Sequence, residues 1–137
     1  PVVMNMLRQA LRGGTIMLHG DGSQTRDYVY VDDVVNAMIA ASTAPDLNNR
    51  VINVGSGKEI SVRDLAHLVL ELTGASVQVL SNPRTSPGVS RMCADLALAK
   101  EKLGYAPRIE LADGLRLTLE RDLRFRKDTP VHPARGW

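Results

Sequence analysis

The chain has 137 residues, 44% hydrophobic and 23% charged, a composition typical of one soluble globular domain and not of a disordered or fibrous protein. Its 17 basic and 15 acidic side chains give a net charge of +2, which argues against a nucleic-acid surface, and no run of about 18 apolar residues could span a membrane. The single cysteine, Cys93, excludes an internal disulfide and favours the cytoplasm.

The amino terminus begins with Pro1 and not with an initiator methionine. The apolar residues 2–4 that follow are not preceded by the basic region of a secretory signal peptide. These features predict that the chain enters partway through a longer polypeptide.

Hydrophobic periodicity predicts alternating helices and strands in the first half of the chain. The predicted elements are a helix over 2–12, a strand over 16–18, a turn over 20–23, a strand over 27–31 and a helix from 34 to Pro45. Gly13 and Gly14 end the first helix, and Asp32 or Asp33 can cap the second.

The second half continues the alternation. Its predicted elements are a buried strand over 51–54, a helix over 62–72, a strand over 77–80, a short helix from Asp95 to Leu103 and a helix over 112–125. Ser61 caps and Gly74 ends the first of these helices. The pattern predicts an α/β layer structure over 1–123, followed by a basic, flexible tail or surface strap over 124–137, anchored by Trp137.

The segment HGDGSQTRDYVYVDD, residues 19–33, carries the chemistry that stands out. Gly20 and Gly22 allow a tight turn, after which Arg26 opens the predicted strand and Tyr28 and Tyr30 share one face. A guanidinium beside a phenol matches the oxygens of a phosphate.

The alternative is that Arg26 pairs with Asp27, Asp32 or Asp33 and that both tyrosines are half-buried strand residues.

The remaining polar residues favour structural roles. The three histidines are too widely separated for a metal site, although His19 ends the strand before the glycine turn and is a pocket candidate. Asp32 and Asp33 are interpreted as helix caps and Cys93 as a small core residue. The turn Gly55-Ser56-Gly57-Lys58 does not match a phosphate loop, because Ile52 and Glu59 occupy key positions.

The run GDGSQTRDYVYVDDVVNAM resembles a recurrent segment of the extended short-chain dehydrogenase/reductase family, the NAD-dependent sugar-nucleotide epimerases and dehydratases. The segments VINVGSGKEISVRDLAHLV and ADLALAKEKLGYAPRIELADGLRLTLE resemble later parts of that family. The similarity covers roughly residues 2 to 122, and only the carboxyl-terminal, substrate-binding portion of the family, without its Rossmann unit.

The resemblance implies that the chemistry lies elsewhere. Members bind NAD through an amino-terminal G-x-x-G-x-x-G turn and use a Tyr-x-x-x-Lys pair, and the chain has neither. We therefore expect no cofactor on this chain alone, NAD in the parent family, no catalytic residue here, and a chain that is catalytically incomplete.

The resemblance also implies a phosphate grip. Arg26 matches the arginine that contacts the substrate phosphates, and Tyr28 stands at the adjacent nucleotide-contacting position. In the loop NPRTSPGVSRMCAD, Arg84 is the candidate for a second phosphate contact, with Arg91 competing because Gly88 and Val89 depart from the family pattern.

Two functions are compatible with these residues. The first is the nucleotide-diphosphate-sugar-binding portion of an epimerase or dehydratase, which we expect to associate as a dimer through the face left by the missing half. The second is a non-catalytic binding or assembly module on the same scaffold. The sequence leaves open the base, the sugar and the choice among epimerisation, dehydration and decarboxylation.

Overall fold

The computed structural model describes residues 2–86 and 88–125, so the predicted tail anchor Trp137 lies outside the described residues. The elements, in chain order, are α1 (Val2–Arg12), β1 (Ile16–His19), β2 (Thr25–Asp27), α2 (Val31–Thr43), β3 (Glu59–Ser61), α3 (Val62–Thr73), β4 (Val79–Asn82), β5 (Arg91–Met92), α4 (Ala97–Leu103), α5 (Leu111–Arg121) and a 3-10 turn (Leu123–Phe125). Within the described part of the chain, no helix is long and apolar enough to cross a bilayer.

Two small sheets organise the fold. β1 and β4 form a parallel pair, with Ile16 opposite Val79. β2 is the central strand of the second sheet, antiparallel to β3 and parallel to β5, so that Arg26 lies opposite both Ile60 and Met92. Helices pack on these sheets, which confirms the predicted mixed α/β layers.

The main core lies between α1, β1, α3 and α5. Leu7, Ile16, Leu65 and Val69 are fully buried there, and Leu115 joins them from α5. Burying each such side chain contributes roughly 1.5 to 3 kcal/mol of hydrophobic stabilisation. A second, smaller cluster holds α2 against α4 through Ala37, Ala99 and Tyr105.

The predicted ends of α3 are confirmed. The Ser61 side chain accepts a hydrogen bond from the Asp64 backbone N–H at 3.0 Å, and Gly74 ends the helix at φ 64°. Gly104 ends α4 in the same left-handed conformation.

Two predicted strands are wrong. The strand predicted over 27–31 is replaced by the shorter β2, Thr25–Asp27. The chain beyond it turns into α2 at Val31, where the Tyr30 carbonyl oxygen accepts from the Asp33 and Val34 N–H groups. Residues 51–54 pair with no strand, and Val51 is 87% exposed instead of buried. An apolar run forms a β-strand only where a neighbouring strand supplies its hydrogen bonds, which the periodicity of the sequence does not reveal.

Other predicted elements differ from the structure in their boundaries. The strand predicted over 77–80 is Val79–Asn82, the last helix ends at Arg121, and the short strands β3 and β5 were not predicted. Strands of two or three residues carry too little alternation to be recognised from sequence.

The predicted roles of Asp32, Asp33 and Cys93 are corrected. The N-cap of α2 is Tyr30, which makes no side-chain cap. Asp33 is buried and its Oδ2 accepts from the backbone N–H groups of Arg108 and Ile109, both at 3.0 Å, while Asp32 pairs with Arg121. Cys93 is exposed and not part of the core, because it follows the exposed strand β5.

One carboxylate joins three segments that are distant in sequence. Asp27 Oδ1 accepts from the Ser56 N–H at 2.7 Å and from its hydroxyl at 2.6 Å, and Oδ2 accepts from the N–H groups of Gly57 and Ala94 at 3.0 and 3.2 Å. Burial acts to raise the pKa of Asp27, but the hydrogen bonds from Ser56, Ala94 and Gly57 outweigh it and hold the pKa below 3.8. We call this arrangement the Asp27 clamp.

The Asp27 clamp leaves no room for a side chain at residue 55. A Cβ on Gly55 would lie 2.5 Å from Asp27 Oδ2 and 2.6 Å from the Ala94 Cβ. The carbonyl oxygen of Gly55 also accepts from the buried Tyr105 hydroxyl at 2.7 Å, so the turn is held from both sides.

Replacing Asp27 by asparagine should lower the free energy of unfolding by about 3 kcal/mol at neutral pH, because an amide –NH2 would face backbone N–H donors. The free energy of unfolding is measured by urea denaturation for wild type, Asp27→Asn and the control Asp46→Asn. Asp46 has an exposed side chain, and asparagine tolerates its backbone φ of 57°.

The difference in unfolding free energy between wild type and Asp27→Asn should depend on pH. Folding lowers the pKa of Asp27, so its contribution is complete above pH 3.8 and is lost as the pH falls through the folded-state value. The difference in unfolding free energy between wild type and Asp27→Asn should therefore narrow in acid. A difference that stays constant down to full protonation would contradict the clamp.

Gly55→Ala should cost about 2 to 3 kcal/mol of unfolding free energy, because the new methyl group overlaps Asp27 and Ala94. Gly14→Ala is the matched control, since its nearest contact would be an ordinary 3.7 Å. Equal melting temperatures for the two variants would show that residues 55 and 94 are not held together.

Candidate functional site

A cavity of about 350 Å³ opens between α1, β1 and β2. Three of the residues singled out in the sequence, His19, Arg26 and Tyr28, line it together. His19 is at the end of β1, Arg26 is the middle residue of β2, and Tyr28 follows one residue after the end of that strand. The cavity therefore forms where the two sheets of the fold meet.

Arg26 has no acidic partner among the ion pairs of residues 2–86 and 88–125. Its Nη1 donates to the Thr25 carbonyl oxygen at 2.6 Å. The alternative pairing with Asp27, Asp32 or Asp33 is not observed, because each of these carboxylates has other donors. A guanidinium in this position retains donors for an anion.

Arg26 also lines a second cavity, of about 380 Å³. This cavity lies over the Asp27 clamp, and Asn53, Met92 and Cys93 form part of its wall. The arginine is thus shared by two neighbouring cavities, and the clamp fixes the backbone beside it.

Tyr28 has a buried hydroxyl that finds no hydrogen-bond partner among the described residues. Burial raises the pKa of this phenol, against a smaller opposing effect of Arg26, so the group is protonated at neutral pH and can donate. Tyr30 has a packing role, because its ring lies against Gly114 in α5. A Cβ on Gly114 would be only 3.1 Å from Cδ2 of that ring.

Sequence reasoning missed Gln24 as a residue of the same cavity. Its Nε2 donates to the His19 carbonyl oxygen at 3.2 Å, and its Oε1 is buried without a partner. The period of two that relates Arg26 to Tyr28 also extends back to Gln24, so the alternation could have indicated it.

The other two candidate arginines are not lining residues of the Arg26 cavity. Arg91 stands opposite Thr25 in the sheet and its Nε contacts both Glu59 carboxylate oxygens at 2.9 Å, on the face opposite to Arg26. Arg84 follows β4 in a turn with an exposed side chain, and its backbone N–H donates to Asn82. Ser86 and Gly88, in the same loop as Arg84, line the Arg26 cavity.

The structure does not offer a dinucleotide or phosphate cradle at its glycine turn. The N–H groups of Ser56 and Gly57 already donate to Asp27, so they are not available to an anion. This turn, among the described residues, therefore does not fit the pyrophosphate of NAD. Among the described residues, no group of three or more His, Cys, Asp or Glu side chains could hold a metal ion.

Comparison with protein families matches the amino-terminal part of the chain. Residues 1–55 match the model described as "NAD dependent epimerase/dehydratase family". The chain is 35% identical over 129 residues to UDP-glucuronic acid decarboxylase 3 of Arabidopsis thaliana, which covers 94% of this chain and 37% of that protein. It is 39% identical over 110 residues to UDP-glucose 4-epimerase of Mycolicibacterium smegmatis, covering 80% of this chain and 35% of that protein.

Solved structures agree with this match. UDP-glucose 4-epimerase of Thermotoga maritima, with UDP-glucose, superposes with a TM-score of 0.81 at 40% identity, over 88% of this chain and 38% of that one. MoeE5 in complex with UDP-glucuronic acid and NAD gives 0.80 at 31% identity, over 88% of this chain and 40% of that one.

The chain spans a little more than a third of the length of the relatives it matches. MoeE5 and UDP-glucuronic acid 4-epimerase of Bacillus cereus are each solved in complex with NAD. Sequence, fold and relatives agree, and the chain belongs to the NAD-dependent epimerase/dehydratase family of extended short-chain dehydrogenases/reductases.

Proposed function

We propose that this chain is the nucleotide-diphosphate-sugar-binding portion of an NAD-dependent sugar-nucleotide epimerase, dehydratase or decarboxylase. The observation that carries the proposal is Arg26, a guanidinium at the wall of a 350 Å³ cavity that pairs with no carboxylate in the described part of the chain. The relatives named above act on, or are solved with, UDP-sugars, so a UDP-sugar is the proposed ligand.

Electrostatics favours a diphosphate at Arg26. A diphosphate carries about two negative charges that need charged partners when water is excluded, and the planar guanidinium supplies donors in pairs. Tyr28 adds a neutral hydroxyl donor beside it.

We assign the second phosphate contact to Arg84. Its loop contributes Ser86 and Gly88 to the cavity wall, whereas Arg91 would have to leave Glu59 and cross to the other face of the sheet. His19 completes the wall of the cavity.

The catalytic groups are proposed to lie on polypeptide outside this chain. The chain lacks the G-x-x-G-x-x-G and Tyr-x-x-x-Lys motifs, and the amides of its glycine turn are occupied by Asp27. It is therefore proposed to be catalytically incomplete alone and to be cytoplasmic, in keeping with its single cysteine. The second candidate, a stand-alone binding module, is distinguished by the intact mass of the native protein in its source.

Calorimetric titration with UDP-, GDP- and dTDP-sugars tests the site. The wild-type chain should bind sugars of one base, and Arg26→Ala should weaken that binding at least about 100-fold, because two charge-assisted hydrogen bonds are lost. Arg116→Ala is the control, since Arg116 pairs with Asp113 on the exposed face of α5. Arg84→Ala should weaken binding about tenfold.

Equal affinities of wild type and Arg26→Ala would overturn the proposed phosphate grip. Failure of the wild-type chain to bind any of the three sugar classes would contradict binding by this portion of the family.

An exposed apolar stripe on α2 provides a surface for association. Val31, Val35, Met38 and Ile39 lie at helical spacing and are all exposed, and Met38 is 67% exposed. A second copy of the helix, related by a two-fold axis, would cover the same residues on both chains. We propose that the chain dimerises through this stripe.

Met38→Glu should convert the dimer to a monomer, because it places a charge in the apolar contact. Light scattering should then report a mass near 14.9 kDa for the variant and about twice that for wild type. Leu11→Glu, an exposed apolar position on α1, is the control and should stay dimeric. A wild-type chain that is monomeric at all concentrations would count against the interface.

A further inference from the structure

Gln24 is held in a single orientation at the cavity wall. The residue is only 6% exposed, and its backbone carbonyl oxygen accepts from the Val62 N–H at 3.0 Å. Its Nε2 donates to the His19 carbonyl oxygen at 3.2 Å. Turning the amide over would place Oε1 against that carbonyl oxygen, so Oε1 is fixed as the group that faces away from it.

This oriented Oε1 atom has no donor within the described structure. A buried acceptor without a partner is costly, and natural proteins retain such groups where a ligand or an ordered water completes them. Gln24 lines the same cavity as Arg26 and Tyr28, at alternate positions of one extended segment. Successive side chains on one face of such a segment are about 6.6 Å apart, a spacing within the length of a nucleotide.

The second buried polar atom without a partner in the described residues is the Tyr28 hydroxyl, which lies on the other side of Arg26 along the chain. The cavity is therefore lined in sequence by a residue with a fixed buried acceptor, a cation and a residue with a protonated buried hydroxyl. If the cation binds phosphate, as the proposed function requires, the fixed acceptor must meet a donor on another part of the same ligand.

We propose that Gln24 is a specificity-determining residue, whose Oε1 accepts a hydrogen bond from the nucleoside of the bound nucleotide sugar. The inference rests on the proposed function and deepens it. A nucleoside presents such a donor as the ring N–H of a uracil-type base or as the ribose 2′-hydroxyl. Cytosine has an acceptor at the corresponding ring nitrogen, so CDP would leave Oε1 unpaired if the donor is the base. 2′-Deoxyribose lacks the hydroxyl, so 2′-deoxy-UDP would leave Oε1 unpaired if the donor is the ribose.

Three nucleotides separate these donors. UDP, CDP and 2′-deoxy-UDP are titrated calorimetrically into wild type, Gln24→Met and the control Gln78→Met, which changes an exposed glutamine outside the cavity. Wild type and the control should prefer UDP at least about tenfold over CDP or over 2′-deoxy-UDP. Gln24→Met should reduce that preference to less than about twofold. Loss of the preference over CDP assigns the donor to the base, and loss of the preference over 2′-deoxy-UDP assigns it to the ribose.

A second variant guards against a change in folding. Gln24→Glu retains an acceptor oxygen, so it should keep the preference ratio even where its negative charge weakens all three nucleotides. A ratio that is equal in wild type and Gln24→Met, with Arg26→Ala still defective, would overturn the role of Gln24 and leave the proposed function intact. Equal weakening of all three nucleotides by Gln24→Met would also overturn it, because that result indicates support of the cavity and not recognition. No binding of any nucleotide by wild type would overturn both.

Discussion

The Asp27 carboxylate is the interaction on which the arrangement of the site depends. It gathers the backbone amides of Ser56, Gly57 and Ala94, which belong to segments far apart in the chain, around one point at the end of β2. Because side chains alternate along a strand, fixing Asp27 on one face directs the neighbouring Arg26 to the other. The absence of a side chain at Gly55 is the steric condition for this arrangement.

The local pairing of negative charge explains why Arg26 has no acidic partner in the described part of the chain. The three acids predicted as alternative partners of Arg26 are each satisfied by other donors: Asp27 and Asp33 by backbone amides, and Asp32 by Arg121. Glu59, on the neighbouring strand, pairs with Arg91. Backbone amides satisfy a carboxylate without a cation, so Asp27 and Asp33 need no ion pair with Arg26. The positive charge of Arg26 therefore stays unpaired within the described residues, in a chain whose net charge is only +2.

The proposed function divides recognition from chemistry. The amides of the glycine turn bind Asp27, and the chain covers a little more than a third of its relatives. Recognition of a nucleotide sugar requires an anion contact and oriented polar groups, and the proposal assigns these to Arg26, Tyr28 and Gln24 in one cavity. The exposed apolar stripe of α2 is the surface that the proposal assigns to association.

Local signals in the sequence determined the helices, both ends of α3 and the family. The apolar spacing of α1 and α3, the Ser61 cap and Gly74 depend on neighbours within one turn, so the sequence alone predicted them. It also selected Arg26 and Tyr28. Only the tertiary structure decided which extended segments pair, that Asp33 holds the backbone at Arg108, that Cys93 is exposed and that Gln24 has a buried atom without a partner. These features depend on contacts between residues that are distant in the chain. The identity of a single side chain does not determine which distant group becomes its hydrogen-bond partner.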